Sequence, residues 1–314
     1  MLTSFFGKSN PINYLILTIT IVVGYVASMF RFQQHHLEWT SWLESVIFAM
    51  VTVFLMLLLD FIIRKNHLTK NNTFGIFLFS AFLLSLPLIF LAKCFLVASL
   101  FLFLALRRIM SLASEKNIEK KILDASLWIA FSSLFYFWSI LFFIVLYIAI
   151  LQKRETSYKQ LLIPIIGFVT VFTLAVCYNL FDTGSFAWME KWRVATGFDF
   201  SAYNQINILL PITIMGVLLI WSGIVRFSNL ASLKKKDRPN VIITLLALTV
   251  SFTVALASPE KTGAEVVFIL GPLAIITANY IEIKKDFWFK ELLLWLVVLL
   301  PISVFILQYI PSRL

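Results

Sequence analysis

Long apolar runs follow one another along almost the whole chain, and polar residues collect in the gaps between them. A hydrocarbon core ~30 Å thick is crossed by roughly 20 residues of helix. Runs of about that length lie at 12–30, 44–63, 73–91, 94–110, 161–181, 206–225, 241–258, 264–282 and 291–309. They are continuous, without the period-two alternation that marks the strands of a membrane barrel. The pattern therefore predicts membrane-crossing helices. The stretch 121–151 is too long for one ordinary span and short for two.

Charge decides how that stretch is threaded. Lys and Arg concentrate in alternate gaps, as cytoplasmic loops require. With Lys8 inside, the gaps holding Arg64, Lys65 and Lys70, then Arg107, Arg108, Lys116, Lys120 and Lys121, are also inside. A single crossing over 121–151 would put Lys153, Arg154, Lys159, Arg226, Lys234, Lys235, Lys236 and Arg238 outside. An element that enters and returns keeps all of them inside. We therefore expect a tight helical pair or a re-entrant element turning near Ser132–Ser133. Its arms are short of a full crossing at ~1.5 Å rise per residue. The expected fold is all-α: one polytopic transmembrane helical bundle over 1–314, with about eleven helical membrane elements including the short broken pair at 121–151. The expected site is a bacterial inner membrane, with the amino terminus cytoplasmic and the carboxy terminus periplasmic.

Composition agrees. The 314 residues are 61% hydrophobic and 13% charged, against about 25% charged in soluble domains. Mean hydropathy is +0.93. The net charge of +10 does not point to nucleic acid, because the cations flank apolar runs, where anionic lipid is their natural partner. Cys94 and Cys177 fall within apolar runs and read as small buried hydrophobes rather than a disulfide or metal pair. The first apolar run is long for a signal sequence and lacks a small-residue cleavage site, so it should remain as an anchor.

Candidate chemistry is confined to the outer loops. The first holds His35, His36 and Glu38, then Trp39, Trp42 and Glu44. Adjacent histidines do not converge on one ion without further ligands, and tryptophans of this kind sit at headgroup depth. No metal or cofactor is expected. The longest outer loop, 182–205, carries Asp182, Trp188, Glu190, Lys191, Trp192, Arg193, Asp199 and Tyr203, and a short turn adds Lys261 and Glu265. Carboxylates there could act as general base, with Glu38, Asp182 and Glu190 the candidates. Lys191, Arg193 and Lys261 could neutralise a lipid phosphate. The same loop also reads as an amphipathic stretch lying on the membrane. Asp60 stands four residues before Arg64, an ordinary i,i+4 pair. No deep series of ionisable groups marks a proton or ion path.

The opening Met1–Asn13, the segment Leu100–Ile109 and the stretch Lys121–Trp138 resemble an uncharacterised family of polytopic inner-membrane proteins of Bacteroidota, whose members sometimes carry a carotene monooxygenase label. That label implies an iron centre. Three histidines, two of them adjacent, do not supply the usual ligand sets of such a centre. The helix count, the broken pair at 121–151 and the polar outer loops also resemble class C membrane glycosyltransferases. That resemblance implies sugar transfer from a lipid-linked donor, with an acid in the first outer loop, here Glu38 or Glu44.

Scarce polar chemistry and small extramembrane parts favour a membrane component of an envelope assembly, export or motility complex. The alternative is a class C-like glycosyltransferase at the outer face, and a transporter is third. Partners are the lipid bilayer and either a lipid-linked substrate or other membrane proteins.

Overall fold

The computed structural model describes residues 1–32, 39–153, 156–186, 188–192, 196–235, 237–259, 261–284 and 286–309. Among them the secondary structure is all-α. The order is α1 Leu2–Phe6, α2 Pro11–Phe32, α3 Trp39–Lys65, α4 Phe74–Leu84, α5 Lys93–Met110, α6 Ile118–Phe135, α7 Phe142–Leu151, α8 Tyr158–Thr183, α9 Trp188–Lys191, α10 Ile206–Ser228, α11 Arg238–Leu256, α12 Val267–Ile283 and α13 Phe287–Tyr309. Among the described residues eight helices are long and apolar enough to cross a membrane. The chain is a multi-pass membrane protein.

Two helices form the centre. Every residue of α12 from Val267 to Ile281 is buried, and so is every residue of α4 from Phe74 to Leu83. They pack on one another, with α2, α3 and α13 around α4, and α5, α10 and α11 around α12. A helix apolar on all sides gains from such burial because its backbone polar groups are satisfied internally. By contrast α8, α10 and α13 expose large apolar side chains such as Ile165, Leu174, Ile220, Trp295 and Ile306 to the outside of the bundle. Close approach between helices is bought at glycines. A Cβ at Gly167 of α8 would stand 1.9 Å from Ser126 Oγ of α6, and one at Gly271 of α12 would stand 2.5 Å from the ring of Phe103 on α5.

The apolar run 73–91 is not one continuous helix. It breaks at Leu86 into α4 and a 3-10 helix, Pro87–Leu91. Pro87 has no amide hydrogen and biases the preceding residue away from helical geometry. The stretch 121–151 breaks as well, but the expected turn near Ser132–Ser133 is displaced to Tyr136, which is extended, followed by a 3-10 helix Phe137–Leu141 and then α7. The serines stay helical because each hydroxyl has a carbonyl to serve: Ser133 Oγ donates to Ala130 O at 2.7 Å, and Ser132 Oγ crosses to Ala98 O of α5 at 2.8 Å. Tyr136 is held by its own hydroxyl, which donates to Val254 O of α11 at 3.0 Å. The two arms return to one end of the bundle, where Lys121 and Lys153 lie within each other's electrostatic reach.

Basic residues gather at that end. Arg64 pairs with Asp60 at 2.8 Å, and both bind the Tyr14 hydroxyl. Asn13 Nδ2 donates to Thr73 Oγ1 at 2.8 Å. Glu282 receives the Lys70 amide at 3.0 Å and Asn72 Nδ2 at 2.5 Å. Glu291 receives the amides of Leu2 and Thr3 at 2.7 and 3.0 Å, closing α1 onto α13. One expectation fails: Cys94 and Cys177 are exposed on the outer surfaces of α5 and α8. Apolar runs predict insertion in lipid, and lipid-facing positions suit a small apolar side chain as well as core positions do.

Candidate functional site

The end opposite the basic residues is where the polar loops meet. The α11–α12 turn leaves Leu256 and re-enters at a 3-10 helix, Ala264–Val266, through Gly263 at φ +88°. That left-handed angle suits a residue without Cβ. Within the turn Lys261 is 4% exposed and Glu265 0%. Lys261 Nζ donates to the carbonyls of Ala255 at 3.0 Å and Leu256 at 2.5 Å, and lies 5.5 Å from the centroid of the Phe200 ring. It thereby satisfies last-turn carbonyls of α11 and complements the helix dipole. Burial pushes the Lys261 ammonium below its ordinary range, with the charge of Glu265 opposing the shift. Glu265 accepts the Tyr203 hydroxyl. Burial, then that bond and the carboxylate charge, push the Tyr203 phenol above its ordinary range.

The segment 196–205 is fastened to this turn at a second point, where Gly197 N donates to Ser258 O at 3.3 Å. A Cβ at Gly197 would stand 1.9 Å from Pro259 O, so the two backbones touch there. A third fastening joins α9 to the broken pair: Trp192 Nε1 donates to Ser133 O at 2.7 Å. That carbonyl lies in the last turn of α6, where the break at Tyr136 leaves acceptors free.

Between α6, its break and α8 these contacts leave a cleft of about 740 Å³. Its walls are largely aromatic, with Phe135, Phe137, Tyr178, Trp188 and Trp192 among them. Trp192 lies 5.2 Å from Phe137 and 5.4 Å from Phe172 between ring centroids, and Trp188 lies 5.8 Å from Phe172. The volume is in the range of small-molecule sites, ~300–1,000 Å³. The indole N–H of Trp188 is buried without an acceptor.

The residues expected to carry chemistry are dispersed. Asp182 is exposed in the last turn of α8. It continues the helical stripe of Ala175, Tyr178 and Asn179, which line the cleft. Lys261 is buried and engaged as described. Glu190 and Lys191 contribute backbone to α9. Glu38, Arg193, His35 and His36 lie outside the described residues. Glu44 pairs with Lys93 at 2.6 Å, joining α3 to α5. Sequence reading missed the fastening roles of Tyr136, Ser133, Phe200 and Glu265. An acid two residues after Gly263, at the mouth of an otherwise apolar run, is the signal that could have found Glu265. Among the described residues no three His, Cys, Asp or Glu side chains gather as a metal site would require.

The fold and this end of it define a helical multi-pass membrane protein with an aromatic cleft under interlocked loops. The chain belongs to a family of unknown function, DUF6427, which it matches over residues 8–312. No curated protein and no solved structure matches it.

Proposed function

We propose that the protein is a non-catalytic membrane component of an envelope assembly, export or motility complex in the inner membrane of a Bacteroidota cell, its basic loops and amino terminus cytoplasmic and its carboxy terminus periplasmic. The observation that carries this reading is the use made of the two buried charges among the converging loops. Lys261 is spent on the carbonyls of α11 and Glu265 on Tyr203. Both brace a cap, and the cap leaves beside it an aromatic, concave surface suited to an apolar partner. The orientation is supported by the collection of basic loops at the other end.

A second reading is supported by Asp182. It follows Tyr178 and Asn179, which line the cleft, by about one turn of the same helix, and it is exposed. In a transferase resembling class C glycosyltransferases the cleft would take the chain of a lipid-linked donor, Asp182 would serve as base with Glu38 or Glu190 as alternatives, and Lys191, Arg193 and Lys261 would meet phosphate.

The test substitutes Glu38, Asp182, Glu190 and Arg193 singly and follows both protein abundance and the deletion phenotype. The component reading expects all four to complement, and a partner to copurify reproducibly in mild detergent. Loss of function at normal abundance at Asp182, or a reproducibly solitary protein, would sink it in favour of the transferase.

A further inference from the structure

Helices α2 and α13 both pack on α4, and a groove of about 870 Å³ lies between them. Phe77, Ala81 and Leu84 of α4 form its floor. Leu84 is half-buried, whereas α4 is buried from Phe74 to Leu83. On the rims Ile19 and Val23 of α2, and Trp295, Ile302 and Ile306 of α13, are exposed. The groove thus opens on the side of the bundle that meets hydrocarbon. Its basic end is closed by Leu2, Phe5 and Phe6 of α1. That short helix is fastened at both of its ends. Thr3 Oγ1 donates to Glu291 of α13 at 2.5 Å, and Phe6 O accepts the Thr73 amide at 2.9 Å and Thr73 Oγ1 at 3.0 Å.

Lining and length decide what fills the groove. Among the described residues no charged side chain lines it. The hydroxyls of Thr20 and Ser80 are spent on their own helices, on Leu17 O at 2.9 Å and Ile76 O at 2.7 Å. A polar or charged ligand would give up its hydration there for almost no partners. The lining runs from Ile16 to Ala27 on α2 and from Trp295 to Ile306 on α13. Each stretch rises ~16 Å, about half of a ~30 Å hydrocarbon core and so the depth of one leaflet. A partner helix crosses both leaflets and is ~10–12 Å wide, so the groove would take only part of its length. A slender, flexible hydrocarbon chain from one leaflet matches it in length and width. Such a chain also supplies the dispersion contacts that the walls would lack over a void.

We propose that the groove between α2 and α13 holds an acyl chain of a bilayer phospholipid, which completes the packing around α4. The chain enters sideways and its headgroup stays among the neighbouring lipids, since nothing in the lining would hold a free carboxylate. The site is separate from the aromatic cleft and independent of the function proposed for it.

The probe is phosphatidylcholine with a diazirine midway along one acyl chain, doped into phosphatidylglycerol–phosphatidylethanolamine vesicles that hold the full chain. After irradiation the adducts are located by mass spectrometry. Adducts should form at Ala81 or Leu84 of α4 as well as at exposed Ile165 and Leu174 of α8, which report the ordinary lipid surround. Ala27→Phe fills the groove and should lose the α4 adducts while keeping those on α8. Thr20→Phe, at an exposed position of the same lining, is the variant to use if Ala27→Phe folds poorly, with the same loss expected. Adducts on α8 without any on α4, or α4 adducts undiminished in a folded groove-filling variant, would overturn the site. Efficient disulfide formation between Ile302→Cys residues of two copies would replace the lipid with a second copy of the chain. A free fatty acid with the same diazirine is the comparison for source: it should label α4 no more strongly than the phospholipid, and labelling of α4 by the fatty acid alone would overturn the phospholipid as occupant.

Discussion

The indole of Trp192 donates to the carbonyl of Ser133 at 2.7 Å, tying the loop that follows α8 to the last turn of α6. A carbonyl freed by a helix break is thereby used to position a loop. Trp192→Phe keeps a ring against Phe137 and Phe172 but removes the donor. It should cost about 1 kcal/mol, the net worth of one hydrogen bond. Amide exchange in 196–204 should quicken while exchange in α12 stays unchanged. Unaltered exchange across both segments would show that the bond does not hold the loop.

Tyr203 and Glu265 form the fastening with the larger expected effect. Tyr203→Phe leaves a buried carboxylate short of a donor, which costs about 1.5–3 kcal/mol. Glu265→Gln keeps an acceptor and should cost less. A double-mutant cycle between the two positions should give a coupling of about 1 kcal/mol or more. Additive effects would place the two side chains apart.

The same pair sets a pH dependence with a definite sign. The Tyr203 phenol is raised above its ordinary value of 10.0 by burial and by Glu265. The folded state therefore binds the proton more tightly than the unfolded state, and stability falls where only the unfolded state releases it. Its contribution is complete below pH 10 and is lost as pH climbs toward the folded-state value. Thermal unfolding followed between pH 8 and 11 should show a steeper alkaline loss for the wild type than for Tyr203→Phe. Parallel curves would contradict the assignment.

Gly167 and Gly216 give a matched comparison. A Cβ at Gly167 meets Ser126 Oγ at 1.9 Å, whereas one at Gly216 has nothing within 4 Å. Gly167→Ala should destabilise by about 1–3 kcal/mol through overpacking, and pairing it with Ser126→Gly should restore much of that. Gly216→Ala should be neutral or slightly stabilising, since alanine is the better helix former. Equal effects at the two sites would mean that α6 and α8 are not in close contact.

The return of the chain over 118–151 has a topological consequence. Single cysteines at Ser157 and Lys116 should be labelled from the same side of the membrane, and one at Ser185 from the other. Cys94 and Cys177, both exposed, are replaced first. Labelling of position 157 from the side of position 185 would replace the returning pair with a single crossing.

Charge and hydropathy made most of this architecture legible. The distribution of Lys and Arg alone required 121–151 to return, because a single crossing would put the three later basic gaps, at 153–159, 226–238 and 284–290, outside. What escaped was local. Pro87 sits inside an unbroken apolar run, so hydropathy reads straight across a helix that stops at Leu84. Ser132 and Ser133 look like a polar turn, yet their hydroxyls are absorbed by Ala98 and Ala130. Lys261 looks like a free outer cation because sequence does not show that the carbonyls of Ala255 and Leu256 stand above it. The aromatic cleft could not be read at all, since its walls come from 131–138, 171–179 and 188–192. Only tertiary packing brings those together.

Helix α4 is 11 residues long and buried from Phe74 to Leu83, and its main companion, α12, is made near the end of synthesis. At ~1.5 Å per residue α4 is too short to cross a bilayer by itself. During translation it therefore emerges into the membrane long before the helix that completes its surroundings. The centre of the bundle closes last, and premature termination anywhere before α12 leaves a chain whose middle is unfinished rather than one that merely lacks a final helix.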